Sequence, residues 1–153
     1  MEAVYMAPNA TVVGDVVLEK NVNIWYGAVL RGDCGRITVG QGTNIQDNAV
    51  VHDETTIGKN CTLGHGAIVH GCTIGDDCLI GMGAIVLDGA VLEDGCLVGA
   101  GALVTGKTHA PAGSVLLGSP ARAVNTVSPQ QLAETRKNAE YYIRLAQKAF
   151  GTK

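Results

Sequence analysis

A chain of 153 residues has the size of one ordinary domain, which disfavours any reading that needs two catalytic domains. Twenty-one glycines, 4% aromatic and 16% charged residues, against roughly 25% charged in an average domain, imply a core of small aliphatic groups and an exterior partly covered by other subunits. A net charge of −3 with no lysine or arginine run leaves no footprint for nucleic acid or an anionic membrane; with no basic leader and no apolar run near membrane-spanning length, the expected location is the cytoplasm.

From Val12 onward, large aliphatic residues recur every six positions: Val12, Leu18, Ile24 and Leu30, then Val39, Ile45, Val51, Ile57 and Leu63, then Ile68, Ile74 and onward to Leu116. A second stripe of small side chains follows four residues behind, through Val16, Val22, Ala28 and Cys34, then Ala49, Cys61 and Ala67, then Cys72, Cys78, Ala84, Ala90 and Cys96. No helix has a period of six. Units this short are one extended side plus a turn, and three sides close a coil of about 18 residues whose neighbours stack as parallel strands. Glycines such as Gly40, Gly58, Gly64, Gly75 and Gly81 sit beside the aliphatic position, where the lack of a Cβ relaxes backbone and packing limits. All five cysteines fall in the small inward stripe, as packed thiols; with no C-x-x-C spacing, neither a disulfide framework nor a thiolate metal site is expected.

The repeat stops at Gly118-Ser119-Pro120-Ala121. At Ser128-Pro129-Gln130-Gln131 a helix-start signature follows, with Ser as N-cap, Pro at the first position and Gln closing a capping box. The helix should run to about Phe150, with Leu132, Arg136, Ala139, Ile143, Ala146 and Phe150 on the face that packs along the solenoid or across to a neighbour. Residues 1–122 are thus expected to form the β-helix and 123–153 a linker and C-terminal α-helix, as one domain. The segment before Val12 and the C-terminal helix are the expected covers for the open ends of the solenoid.

Three of the four histidines lie close together in sequence, at outward positions. His52 and His70 are one full coil apart and should stack on one face. His65 lies on the adjacent side of the triangle, so three imidazoles can share one ion only if one comes from another subunit, as a threefold assembly would allow. Three nitrogen ligands with an open position are the catalytic pattern for zinc, in which bound water loses a proton near neutral pH. His109, before Ala110-Pro111, is expected in a surface turn.

Arg31-Gly32-Asp33, Asn44-Ile45-Gln46-Asp47, His52, and the run from Gly64-His65 through His70-Gly71-Cys72, followed by Leu79-Ile80-Gly81-Met82-Gly83-Ala84, resemble the gamma-class carbonic anhydrases and their ferripyochelin-binding-protein-like relatives over nearly the whole chain. The resemblance implies an all-β, left-handed parallel β-helix of hexapeptide repeats with a C-terminal helix, a homotrimer, and zinc or iron at its interfaces. It makes His52 and His70 ligands from one subunit and His65 the ligand from its neighbour. Gln46, with Arg31 and Asp33, falls in the catalytic set; Asn44 and Tyr142 fall beside the small-molecule substrate; and Arg31, Asp33 and Asp47 match charged groups that pair at the subunit contact. The family's long acidic loop is missing, since only Asp53-Glu54-Thr55-Thr56 separates His52 from the next repeat.

The leading expectation is reversible hydration of carbon dioxide by metal-bound hydroxide. A hexapeptide acyltransferase or thioesterase acting on a coenzyme A ester is the alternative, suggested by Gly118-Ser119-Pro120-Ala121-Arg122. A non-catalytic metal-binding trimeric scaffold is the third.

Overall fold

The computed structural model describes residues 3–151; the outermost residues of both expected segments, 1–2 and 152–153, lie outside the described residues. The chain winds into a left-handed parallel β-helix of about six turns, followed by one helix. The first face stacks Tyr5–Met6, Asn23–Ile24, Asn44–Ile45, Thr62–Leu63, Leu79–Ile80, Leu97–Val98 and Ser114–Gly118. The second carries the leading halves of Thr11–Leu18 and Val29–Val39, then Val50–His52, Ile68–His70, Ile85–Val86 and Leu103–Val104. The third carries the trailing halves of the same two long strands, then Thr55–Ile57, Thr73–Ile74, Val91–Leu92 and His109–Ala110. Inward residues such as Ile24, Leu30, Ile45, Leu63 and Ile80 are fully buried, so the core is one continuous aliphatic column.

The repeat breaks its stride at the corner between the second and third faces. Val12 and Val16 stand four apart, as do Val51 and Thr55, but Leu30 and Ile37 are seven apart and Val69 and Cys72 three apart. Two expectations are corrected here. Cys34 is exposed because it lies in the longer corner, and Ile37 takes the inward place between Val16 and Thr55. Val69, not Ile68, fills the core: the shortening falls after His70, where Gly71 turns with φ +57°, and leaves Ile68 on the surface. His109 is likewise corrected from a turn to a strand; it is exposed, in register with Val91, and its Nε2 lies 2.8 Å from Glu93 Oε1.

The column Gly40, Gly58, Gly75 explains one set of glycines. A Cβ on Gly58 would lie 2.5 Å from the carbonyl carbon of Gly75, and one on Gly40 would lie 2.5 Å from that of Gly58. Close stacking of successive coils, rather than an unusual φ, excludes a side chain there.

The helix, α1, spans Pro129–Phe150 and starts with the expected capping box between Ser128 and Gln131. It lies along the first face, burying Thr135, Ala139 and Ala146, while Trp25 packs edge-on against Tyr142 and Phe150 at 5.3 and 5.1 Å. Arg136 stays exposed at the rim of the packed face and binds Asp77. Among the described residues, the two expected covers lie elsewhere, the helix along the first face and the N-terminal segment within it. Residues 5–6 form the first strand of the first face, and the far end is closed by Ala121–Thr126, which folds back antiparallel onto Ser114–Gly118 and runs across the 122/123 boundary.

Cys61, Cys72, Cys78 and Cys96 are buried, and all five thiols are free. Burial pushes the Cys72 thiol up to about 12. Contact with the Cys61 thiol together with burial raises Cys78, and contact with Cys78 together with burial raises Cys96. Because the thiolate is the reactive form, an aromatic disulfide reagent at pH 8 is expected to modify at most Cys34 in the folded protein, slowly because Asp33 raises its thiol. The other four should react only after unfolding in guanidinium; rapid reaction of two or more thiols in the folded state would contradict this packing.

Candidate metal centre

Arg31 keeps its place in the ladder, while the long corner that follows it lifts Asp33 and Cys34 off the regular coil beside His52. Arg31, His52 and His70 are consecutive register partners on the second face, so their side chains form one outward column. Thr55, fully buried, fastens that column from beneath: its hydroxyl donates to the His52 carbonyl at 2.9 Å and accepts from the Gly71 N–H at 3.0 Å.

His52 Nδ1 and His70 Nε2 face each other at 3.0 Å. Their other ring nitrogens are taken by carboxylates, His52 Nε2 by Asp33 Oδ1 at 3.0 Å and His70 Nδ1 by Asp88 Oδ1 at 2.6 Å. A carboxylate only accepts, so each outer nitrogen carries the hydrogen. The two inner nitrogens therefore face each other at hydrogen-bonding distance with no other partner among the described residues, a contact that a shared cation, either a proton or a metal ion, satisfies. Two nitrogens sharing a tetrahedral zinc at its usual bond length stand about 3.3 Å apart, close to the separation found. The donor set therefore fits a metal, in the carboxylate–histidine–metal pattern that fixes ring orientation and ligand basicity.

Asp33 is held in turn by Arg31, whose Nη1 donates to Asp33 Oδ2 at 2.6 Å; this hydrogen bond is the main reason the Asp33 carboxyl drops to about 2, with His52 adding to it. Arg31 and Asp33, expected together with Asp47 at a subunit contact, pair with each other within one chain.

His65 stands at the corner between the first and second faces. Its Nδ1 lies 2.9 Å from Asp47 Oδ2, the residue one coil away, so a third histidine has one nitrogen on a carboxylate. Among the described residues, the clusters of potential ligand atoms within 4.8 Å are Asp33, Cys34 and His52, and Asp53, His70 and Asp88; His65 is in neither. One chain brings together two of the three expected ligands.

Gln46 and His65 line the same cleft, a space of about 580 Å³ between the first face and α1, floored by Leu79 and Leu97 and walled by Glu134 and Asn138. Asn44 is fully buried rather than open to this cleft, and its Oδ1 accepts from Gln46 Nε2 at 3.1 Å. Tyr142 does not line the cleft; it packs on Trp25 and Tyr141, where burial and the nearby Asp47 carboxylate push its hydroxyl up. Asp88, Cys34 and Thr55 were not singled out from sequence as site residues. A spacing of 18 from His70 to Asp88 was the available signal, the same interval that links His52 to His70.

The profile of the bacterial transferase hexapeptide family, six repeats long, matches residues 36–71 and 71–106. Mitochondrial gamma carbonic anhydrase 2 of Arabidopsis thaliana is 46% identical over 154 residues, covering 94% of this chain and 55% of that protein, so the chain spans little more than half of this relative. The carnitine operon protein CaiE of Escherichia coli is 41% identical, covering 90% of this chain and 72% of that one. Among solved structures, a hexapeptide transferase family protein from Anaplasma phagocytophilum superposes with a TM-score of 0.91 at 45% identity, covering 95% of this chain and 88% of that one. A Bacillus cereus protein described as an acetyltransferase gives 0.92 at 30% identity, covering 97% and 89%. No helix among the described residues is long and apolar enough to cross a membrane. Its repeating coils and these relatives agree, and the chain belongs to the hexapeptide-repeat family, alongside the gamma carbonic anhydrases and CaiE.

Proposed function

We propose that the protein is a metal-dependent hydratase of the gamma carbonic anhydrase type, a homotrimer that interconverts carbon dioxide and bicarbonate at sites shared between subunits. The observation that carries this reading is the facing pair His52 Nδ1 and His70 Nε2, with both outer nitrogens already on carboxylates. In the proposed trimer, His65 of a neighbouring chain, backed by its own Asp47, completes a three-nitrogen set for zinc or iron. An ion so held would supply the Lewis acidity that makes water a nucleophile near neutral pH. Asp33 and Asp88 keep the imidazoles turned inward, and Arg31 keeps Asp33 ionised as an acceptor. Gln46, beside His65 in the cleft, orients the attacking oxygen by a hydrogen bond. Because Asp53 and Glu54 form only a short turn, proton removal is slow and the hydration rate modest. An aqueous, reducing compartment such as the cytoplasm suits the five free thiols.

Protein purified anaerobically under reducing conditions should carry about one zinc or iron per chain and hydrate carbon dioxide in stopped-flow assays, with the rate lost on chelation and regained on adding the metal. A metal-free trimer, or a metal-loaded one without hydration, would refute the proposal. Two observations favour a second reading: a cleft of about 580 Å³ is far larger than carbon dioxide needs, and the Bacillus cereus neighbour is described as an acetyltransferase. Metal-independent consumption of acetyl coenzyme A in the presence of an amine or alcohol acceptor would select that reading.

A further inference from the structure

The amide of Gln46 has two chemically opposite ends, and a chain of buried hydrogen bonds decides which one faces the cleft. Its starting point is fixed by the backbone. Asn44 Nδ2 lies 3.1 Å from the carbonyl oxygen of Cys61, an acceptor only, so this end of the Asn44 amide must be the NH2 group. The same nitrogen donates to Thr62 Oγ1 at 2.8 Å. Asn44 therefore turns its oxygen toward Gln46, which must answer with its own NH2 at 3.1 Å, leaving Gln46 Oε1 as the free end. Asn44 and Thr62 are buried, Gln46 is 6% exposed, and no competing water can easily reverse the order.

The chain does not end in the solenoid. Asn138, near the middle of α1, donates its Nδ2 to the same Thr62 Oγ1 at 3.0 Å. Thr62 is in register with Asn44 on one side and Leu79 on the other, so it cannot move without its coil. The helix is thereby fastened to the Gln46 amide through Thr62 and Asn44, across the wall of the cleft that Gln46, Thr62, His65 and Asn138 all line.

We infer that Asn138 and Thr62 are positioning residues that lock Gln46 with its carbonyl oxygen, a hydrogen-bond acceptor, toward the cleft. The site is thus built to receive a donor O–H or N–H at this point. The inference rests on the proposed hydratase reading only for its effect on rate; the orientation of the amide is a property of the fold.

Two readouts keep these apart. Side-chain amide NMR should show Gln46 with one slowly exchanging proton in the wild type, and exchange faster by about tenfold or more in Asn138→Ala and Thr62→Val, while Thr62→Ser, which keeps the hydroxyl, stays near wild type. Hydration by Asn138→Ala should show kcat lower by about tenfold with KM and metal content unchanged. Unaltered Gln46 exchange in both Asn138→Ala and Thr62→Val would overturn the inference, as would equal loss in Thr62→Ser and Thr62→Val. Loosened exchange in a protein that hydrates nothing would support the latch while removing the hydratase reading.

Discussion

Replacing His65 by alanine is expected to lower metal affinity by more than about 100-fold, beyond the usual loss for a residue that merely supports a ligand, and to abolish hydration, although His65 touches neither His52 nor His70 in its own chain. His70→Ala should have the same effect. The decisive experiment mixes the two. A site is complete where a His65→Ala chain, which keeps His52 and His70, meets a His70→Ala neighbour, which keeps His65. Random reassembly of equal amounts into closed trimers should therefore restore about one quarter of the sites, read as bound metal and as rate. Each variant alone stays at background. A site built within one chain would recover nothing on mixing, so an unchanged background would refute the shared centre, provided mass spectrometry shows that mixed trimers formed.

The second large effect is on stability. Gly58→Ala puts a methyl group 2.5 Å from the Gly75 carbonyl carbon and 2.6 Å from its oxygen, where no rotamer can relieve the overlap. Moving one coil away from the next breaks the ladder between Thr55–Ile57 and Thr73–Ile74, directly behind Thr55 and the corner that carries His52. Overpacking costs about 1–3 kcal/mol in ordinary cores, occasionally more, and here backbone meets backbone, so the upper end is expected. Chemical denaturation of the metal-free protein should show it as a lower midpoint at unchanged slope. A loss under about 0.5 kcal/mol, the usual range for an ordinary surface change, would mean the coils are less tightly stacked than described.

The six-residue period was readable because each coil repeats the same demand for one large and one small inward group. The errors fell where aliphatic spacing carries no information about phase. Ile68 and Val69 are adjacent and equally apolar, so only the ladder, Val69 on Val51 and on Val86, decides which points inward. Cys34 keeps its six-residue step from Ala28, and nothing in the letters reveals that the corner has lengthened beneath it. For the site, spacing alone stacked His52 on His70 and set His65 apart. The carboxylates that hold the rings were less visible, because an aspartate at coil spacing is common on a solvated surface; Asp76 and Asp94 have that spacing too, and there the carboxylate caps a backbone N–H. The route from Asn138 to Gln46 was hidden for a different reason: it joins a helix to a strand 76 residues away, through side chains with no period in common.

The uneven corner between the second and third faces bears on how such a chain can change. Both departures from the four-residue step, the lengthening after Leu30 and the shortening after Val69, lie at the edge that carries Asp33, His52 and His70, while the ladders on either side keep their register. Each coil leans only on its neighbours, so a residue gained or lost at a corner is taken up there and is not passed along the column. The aliphatic core and the histidine-bearing edge are therefore under separate constraint: insertions and deletions at this one edge can redraw which side chains meet there without asking anything new of the interior. A scaffold organised in this way can exchange one chemistry for another by editing a few loop positions, which is consistent with anhydrases and acetyltransferases occurring together among its relatives.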